Sequence, residues 1–173
     1  NLSNFLLVSG KDEKGMPFGV SPDIAKRVAK ELDIDCELVS FKQPGELADA
    51  VNDDVWDIGN IAFESKRADT INFTNPYVLI EANFLKRKEM KIFKNKEIDK
   101  KGIKIAVAER SAYDLWLTEN FNNAELVRAK SIDESHHIFY QGIADVLAGL
   151  KPKLLDEVND DFSIIADPFT HVK

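Results

Sequence analysis

Twice in the second half of the chain, a short β-rich run is followed by a helix start of the same design. Ile103–Ala108 precedes Ser111-Ala-Tyr-Asp114, and Ala124–Val127 precedes Ser131-Ile-Asp-Glu134. Both four-residue groups have the capping-box pattern, in which a serine oxygen accepts from the backbone N–H three residues on. Asp114 stands where Glu or Gln is usual. A strand, a capped helix and another strand at this spacing call for crossover connections, which confines the fold to an α/β sheet. Ala144–Leu147 reads as the next strand, Lys151–Val158 as a helix and Phe162–Ile165 as a last strand.

The first half repeats the alternation. Phe5–Val8 and Pro17–Val20 read as short strands around the polar turn Lys11–Gly15. Ser21 suits an N-cap, Pro22 the first helical position, and Asp23 the positive end of the dipole. Ile24, Ala25, Val28, Ala29 and Leu32 then share one face at helical spacing, and Asp33 ends the pattern. Cys36–Phe41 reads as a strand. Pro44–Gly45 opens a helix with Leu47, Ala48 and Val51 inward, and Trp56, Ile58 and Ile61 form another strand. Tyr77–Leu85 is the longest β-rich run and is expected to cross between two lobes. The expected organisation is a first lobe over 1–85, a basic connecting segment over 86–102, a second lobe over 103–166, and the start of a return crossover over 167–173.

Composition narrows the function classes. A net charge of −7 over 173 residues argues against nucleic-acid or general anionic-membrane binding. No apolar run reaches the roughly 18 residues of a membrane-spanning helix. The chain opens at Asn1 without a leader, so a mature or trimmed chain is expected. The lone Cys36 rules out an internal disulfide and a zinc cluster, and its place in the alternating run Ile34–Phe41 predicts a buried structural thiol. From Lys86 to Lys104, nine residues are Lys or Arg and three are acidic, a local charge of +6 that leaves −13 elsewhere. Such a run is either a docking patch for an acidic partner or a solvated loop with a short helix.

Catalytic signatures are missing: there is no GxGxxG, P-loop, HExxH or GxSxG. His136 and His137 are adjacent on a predicted helix and point about 100° apart, so they cannot share a metal. No cofactor and no metal is expected. Two strand-to-helix turns suit an anion instead. The first is Gly59-Asn60-Ile61-Ala62, followed by Arg67, whose guanidinium can grip a carboxylate through two parallel hydrogen bonds. The other reading of Arg67 is an exposed pair with Glu64 at i,i+3. The second turn is Ala108–Tyr113, where the start of a helix leaves N–H groups unpaired and Ser111 and Tyr113 add hydroxyls. Ser111 is also a plain N-cap, and Tyr113 reads equally as packing.

In order and spacing, four segments resemble the family 3 extracellular solute-binding proteins, the amino-acid receptors of ABC importers with the type II periplasmic-binding fold. They are GMPFGVSPDIAKRVAKELDI at 15–34, WDIGNIAFESKRADTINFTNPYV at 56–78, IKIAVAERSAYDLWL at 103–117 and GIADVLAG at 142–149. The second contains Asn72-Phe73-Thr74-Asn75-Pro76-Tyr77, which matches a run that follows the arginine in that family. The resemblance implies a two-lobed clamp in the periplasm or outside the cell, a small carboxylate-bearing ligand, and an ABC permease as partner. Arg67 would hold the carboxylate, with Gly59, Asn60 and Ala62 completing the first-lobe grip. Ser111, Ala112 and Tyr113 would close over it, and Asn4 and Phe5 match the first ligand loop. The hinge would lie near residues 80–86.

Three departures from the family pattern stand out. Leu150 occupies the place of an aspartate that holds the ligand's α-ammonium, which favours a carboxylate lacking the amine or a more apolar ligand. Ala62 and Glu64 stand where small hydroxyl residues are common. The fold is also expected to be incomplete at both ends, leaving sheet edges that invite pairing between chains. Two other functions fit the same scaffold. One is an enzyme resembling cyclohexadienyl dehydratase, with Glu64 as acid or base, and the other is the ligand-sensing domain of a receptor.

Overall fold

The computed structural model describes residues 1–173, and its backbone contacts fall into two units, Asn1–Asn72 and Phe73–Lys173. In the first unit, β1 (Gly10–Lys11) pairs antiparallel with β2 (Pro17–Phe18). Asp12 Oδ1 closes the intervening turn by accepting from Lys14 N and Met16 N, both at 2.9 Å. Phe5–Val8, expected as a strand, is a turn in which Leu7 N and Val8 N donate to Asn4 O.

Helix α1 (Val20–Leu32) starts earlier than its sequence signals suggest, because Gly19 is the N-cap. Gly19 has φ 128°, and a Cβ there would meet Leu7 O and Ser9 N at 2.8 Å, so only glycine fits. Ser21 and Pro22 therefore fall inside the first turn, both buried. Pro22 is tolerated there because a first-turn N–H has no helical partner. Asp33 ends the helix in the left-handed region at φ 54°, at the expected place. Helix α2 (Pro44–Asp49) carries a capping box between Gln43 and Glu46 and buries Leu47.

Two expected strands of this unit do not form. Residues 36–41 and 56–61 are free of helix and ladder, and in the first run only Phe41 O takes a backbone hydrogen bond, from Leu2 N. Their composition is that of strands, but neither finds a neighbouring strand, and a lone extended segment cannot satisfy its own backbone. Cys36 is accordingly exposed rather than buried.

The second unit is a six-stranded sheet built on β3 (Ile80–Arg87), β4 (Lys104–Ala108), β5 (Glu125–Ala129), β6 (Val146–Leu150), β7 (Phe162–Ile164) and β8 (Thr170–Val172). The order is β5-β4-β6-β3, with β7 and β8 both on the free side of β3. β4 runs parallel to β5 and β6, while β3 is antiparallel to β6, β7 and β8. The crossover helices are α3 (Ala112–Asn120) and α4 (Ile132–Tyr140), and α5 (Lys151–Leu155) follows β6. Alternation along the strands divides the core into two faces. Ala82, Phe84, Ile105, Val107, Val146 and Ala148 pack with Leu117 and Ile98 on one side. Leu85, Ala106 and Leu147 pack with Phe139 and Leu154 on the other. Burial on both faces explains why β4 and β6 read as continuous apolar runs.

The long strand runs from Ile80 rather than Tyr77, and it carries the first two residues of the basic run into the sheet. Lys86 is buried with its ammonium on Met90 O at 3.0 Å. Arg87 donates to Phe139 O at 2.7 Å and lies 4.7 Å from the centre of the Phe139 ring. By its contacts β3 belongs to the second unit, and residues 170–172 extend the same sheet as β8.

Candidate functional site

In the first unit, Arg67 opens a 3-10 turn, Arg67–Asp69, and its side chain is only 6% exposed. Nη1 donates to Ala62 O at 2.9 Å, so the carbonyl of the preceding turn fixes the guanidinium. Glu64 is equally buried and its Oε2 accepts from Lys66 N at 2.9 Å, closing the bend that presents Arg67. Ile71 N returns to Arg67 O at 2.8 Å and seals the other side. Asn60 Nδ2 donates to Ser21 O at 3.1 Å, tying the Gly59-Asn60 turn to the start of α1. Gly59 packs against α2: a Cβ there would stand 3.1 Å from Leu47 Cδ2 and 3.5 Å from the Trp56 ring. Trp56 Nε1 in turn donates to Leu47 O at 3.2 Å. The guanidinium is thus buried and held in one orientation by the backbone, with little side-chain entropy left to lose.

The remaining first-unit candidates lie in separate settings. Asn4 and Phe5 sit in the 3–8 turn, and Asn4 Oδ1 is buried without a hydrogen-bond partner. A cavity of about 490 Å³ opens between α1 and the extended runs 34–41 and 54–60. Gly59 and Asn60 line it, whereas Ala62 and Arg67 do not.

In the second unit, Ser111 is the N-cap of α3, and its Oγ accepts from Asp114 N at 3.1 Å. Asp114 Oδ2 reaches back to Arg110 N at 2.8 Å, one residue before the N-cap, so the reciprocal arm of the expected box falls outside it. Ala112 and Tyr113 are the first residues of the helix, where N–H groups have no helical carbonyl to meet. Tyr113 is buried, and that burial pushes its phenol up to about 12, with Asp114 adding to the shift and a hydrogen bond with Ser111 opposing it. It is therefore a neutral hydrogen-bonding group at physiological pH. Leu150 ends β6, the parallel neighbour of β4, so it shares the C-terminal edge of the sheet with the Ala108–Ser111 turn. Strand C-terminal edges are where open α/β sheets hold ligands.

Other polar groups were not foreseen from sequence. Arg128 on β5 pairs with Asp114 at 3.0 Å, a contact that needs the strand order to be known. His136 Nδ1 lies 2.9 Å from Glu157 Oε1, and the Tyr140 hydroxyl donates to Glu157 Oε2. This trio ties α4 to the turn after α5. No group of three or more His, Cys, Asp or Glu is placed to hold a metal ion.

The chain belongs to the bacterial extracellular solute-binding proteins, family 3, whose pattern it matches over residues 4–167. Similar folds recur among solved structures. A Wolinella succinogenes DSM 1740 protein complexed with lysine, described as a candidate binding component of an ABC transporter, superposes with a TM-score of 0.74 at 21% identity. The match covers 94% of this chain and 72% of that one. The ancestral amino acid-binding protein AncCDT-1, described as a precursor of cyclohexadienyl dehydratase, gives 0.72 at 22% identity over 94% and 73%. The GluR0 ligand-binding core from Nostoc punctiforme, in complex with L-glutamate, gives 0.72 at 19% identity over 90% and 74%. No curated protein matches the chain. The fold is thus the type II periplasmic-binding fold, and no helix is long and apolar enough to cross a membrane.

Proposed function

We propose that the chain binds a small carboxylate-bearing solute without transforming it, outside the cytoplasm and for delivery to an ABC permease. The observation that carries this reading is Arg67, buried and oriented by Ala62 O. Gly59, Asn60 and Ala62 shape the turn beside it. The amides of Ala112 and Tyr113, with the Ser111 and Tyr113 hydroxyls, are assigned as the second unit's contribution to carboxylate binding. Leu150 brings no carboxylate for an α-ammonium, so the favoured ligands are acids without that amine or with an apolar body. Glu64 works in this reading as a turn-closing acceptor rather than as an acid or base, given its bond to Lys66 N. Pairing between copies through open sheet edges is part of the same proposal, and sedimentation against protein concentration tests it.

Binding in the micromolar range corresponds to about −8 kcal/mol. Removing the guanidinium from a buried charge pair is expected to cost about 2–5 kcal/mol of that. A thermal-shift screen of small carboxylates against wild type, Arg67→Lys and Arg67→Ala tests the assignment. Ligands that stabilise the wild type should do so weakly with Arg67→Lys and not at all with Arg67→Ala. Equal shifts in all three would remove Arg67 from the site. Turnover that vanishes in Glu64→Gln would favour the dehydratase reading instead.

A further inference from the structure

Between β3 and β4, residues 88–103 form an excursion that is braced at every turn. Met90 N donates to Arg87 O, and the buried Lys86 ammonium donates to Met90 O. Ile92 and Ile98 are buried in the core of the sheet. Glu97 Oε2 accepts from Phe93 N and Lys94 N, both at 2.9 Å. Asp99 Oδ1 accepts from Asn123 N at 2.7 Å and Ala124 N at 2.9 Å. Two of the three acids are thus committed to backbone amides. These bonds hold Glu97 below the usual carboxylate range, and in Asp99 they outweigh the upward push of burial. Glu89 alone has no such bond.

Lys88, Lys91, Lys94, Lys96, Lys100 and Lys101 stand outside, all exposed. Among them Phe93 is 73% exposed, its backbone pinned by Glu97. The platform is ordered, cationic and tipped with an aromatic ring. Its exposed cations are lysines only, since Arg87 is engaged in the sheet. Lysine is a compact point charge on a flexible stem, suited to a diffuse anionic surface, whereas arginine's planar fork suits carboxylates or phosphates held in a defined geometry. Lysines around an exposed apolar side chain are the composition of surfaces that sit on anionic lipid, the ring entering the headgroup layer. The net charge of −7 argues against binding by the surface at large, but charges beyond about 10 Å are screened at 0.1 M salt, so this patch meets a lipid surface on its own local charge.

We infer that the 88–101 platform docks the protein on anionic phospholipid surfaces, with Phe93 inserted and the surrounding lysines on the headgroup phosphates. None of the residues proposed for solute binding lies in this segment. The test is co-sedimentation of the full chain with phosphatidylcholine vesicles, with and without phosphatidylglycerol. Binding is expected only to the anionic vesicles, and it should disappear as salt rises towards about 1 M. Each lysine lost should weaken partitioning about fivefold, so the triple variant K91Q/K94Q/K96Q should lose about a hundredfold. Phe93→Ser should weaken binding without changing its salt dependence. Circular dichroism and solute-induced thermal shift should be unchanged in both variants. Failure of the wild type to bind anionic vesicles at low salt would overturn the inference, as would equal binding by either variant. Binding to soluble polyglutamate that does not depend on Phe93, without vesicle binding, would overturn it in favour of an acidic protein partner.

Discussion

Arg128 Nε donates to Asp114 Oδ1 at 3.0 Å while Oδ2 of the same carboxylate accepts from Arg110 N at 2.8 Å. One buried side chain thus restrains the left-handed Arg110 at φ 58°, just before the Ser111 cap, and ties the helix to the edge strand β5. Arg128 Nη2 also reaches Thr118 Oγ1 at 2.8 Å, a turn further along α3. Asp114→Ala removes the buried acceptor that Arg128 Nε and the Arg110 amide share. The expected loss is about 2 kcal/mol, read as a lower urea midpoint with an unchanged slope. Asp114→Asn should recover part of it, since one oxygen remains to accept. An unchanged midpoint in Asp114→Ala would mean that packing alone holds α3.

The Glu157 trio gives the second unit two pH limits. Burial raises the Glu157 carboxyl, but the hydrogen bonds from Tyr140 and His136 outweigh it, and the group titrates below its ordinary 4.5. A depressed carboxylate stabilises the fold above its unfolded value, and that contribution is lost as pH falls through the folded value. Tyr140 moves the other way, raised above 10 by burial first and then by its bond to Glu157. Its contribution is complete below pH 10 and lost as pH rises beyond it. Melting temperature against pH should therefore fall below about pH 4.5 and again above about pH 10. Glu157→Gln should flatten the acid limb and Tyr140→Phe the alkaline one. Limbs that keep their slopes in these variants would place the responsible groups elsewhere.

The second unit was legible from sequence because its signals are local. Both serine caps, at Ser111 and Ser131, form as the residue pattern requires, although Asp114 and Glu134 accept from the residues before the caps, and β4 and β6 are continuous apolar runs flanked by those helices. The first unit was legible in its helices and in the short strand at Pro17 with its Lys11–Gly15 turn. Cys36–Phe41 and Trp56–Ile61 have strand composition, but a strand is completed by a neighbour, which composition does not reveal. Gly19 displaced Ser21 as N-cap through a close approach to Leu7 O and Ser9 N, a tertiary fact with no local signature. Arg67 was visible as a candidate beside a Gly-Asn turn. That Ala62 O holds it, and that Glu64 closes the bend before it, are set by a tight local turn that residue types alone do not specify. Lys86 and Arg87 looked like the start of a charged loop. Their long stems reach backbone carbonyls from inside β3, so charge density along the sequence misplaced them.

Gly59 links the stability of the first unit to its proposed site. Its φ is ordinary, so an added methyl meets no backbone strain. The obstacle is contact, at 3.1 Å from Leu47 Cδ2 and 3.5 Å from Trp56 Cζ3. Leu47 is buried on α2, and Trp56 cannot move freely because its indole N–H is bonded to Leu47 O. Gly59→Ala should therefore push the turn away from α2 and cost about 1 kcal/mol or slightly more. Asn60, next in the chain and bonded to Ser21 O, would move with it, so solute affinity should fall together with stability. Shortening the obstructing side chain separates the two contributions. In a Leu47→Val background the added methyl has room, and the Gly59→Ala penalty should shrink, giving a favourable coupling in a double-mutant cycle of urea unfolding energies. Strictly additive penalties would show that Leu47 is not what fixes glycine at this turn.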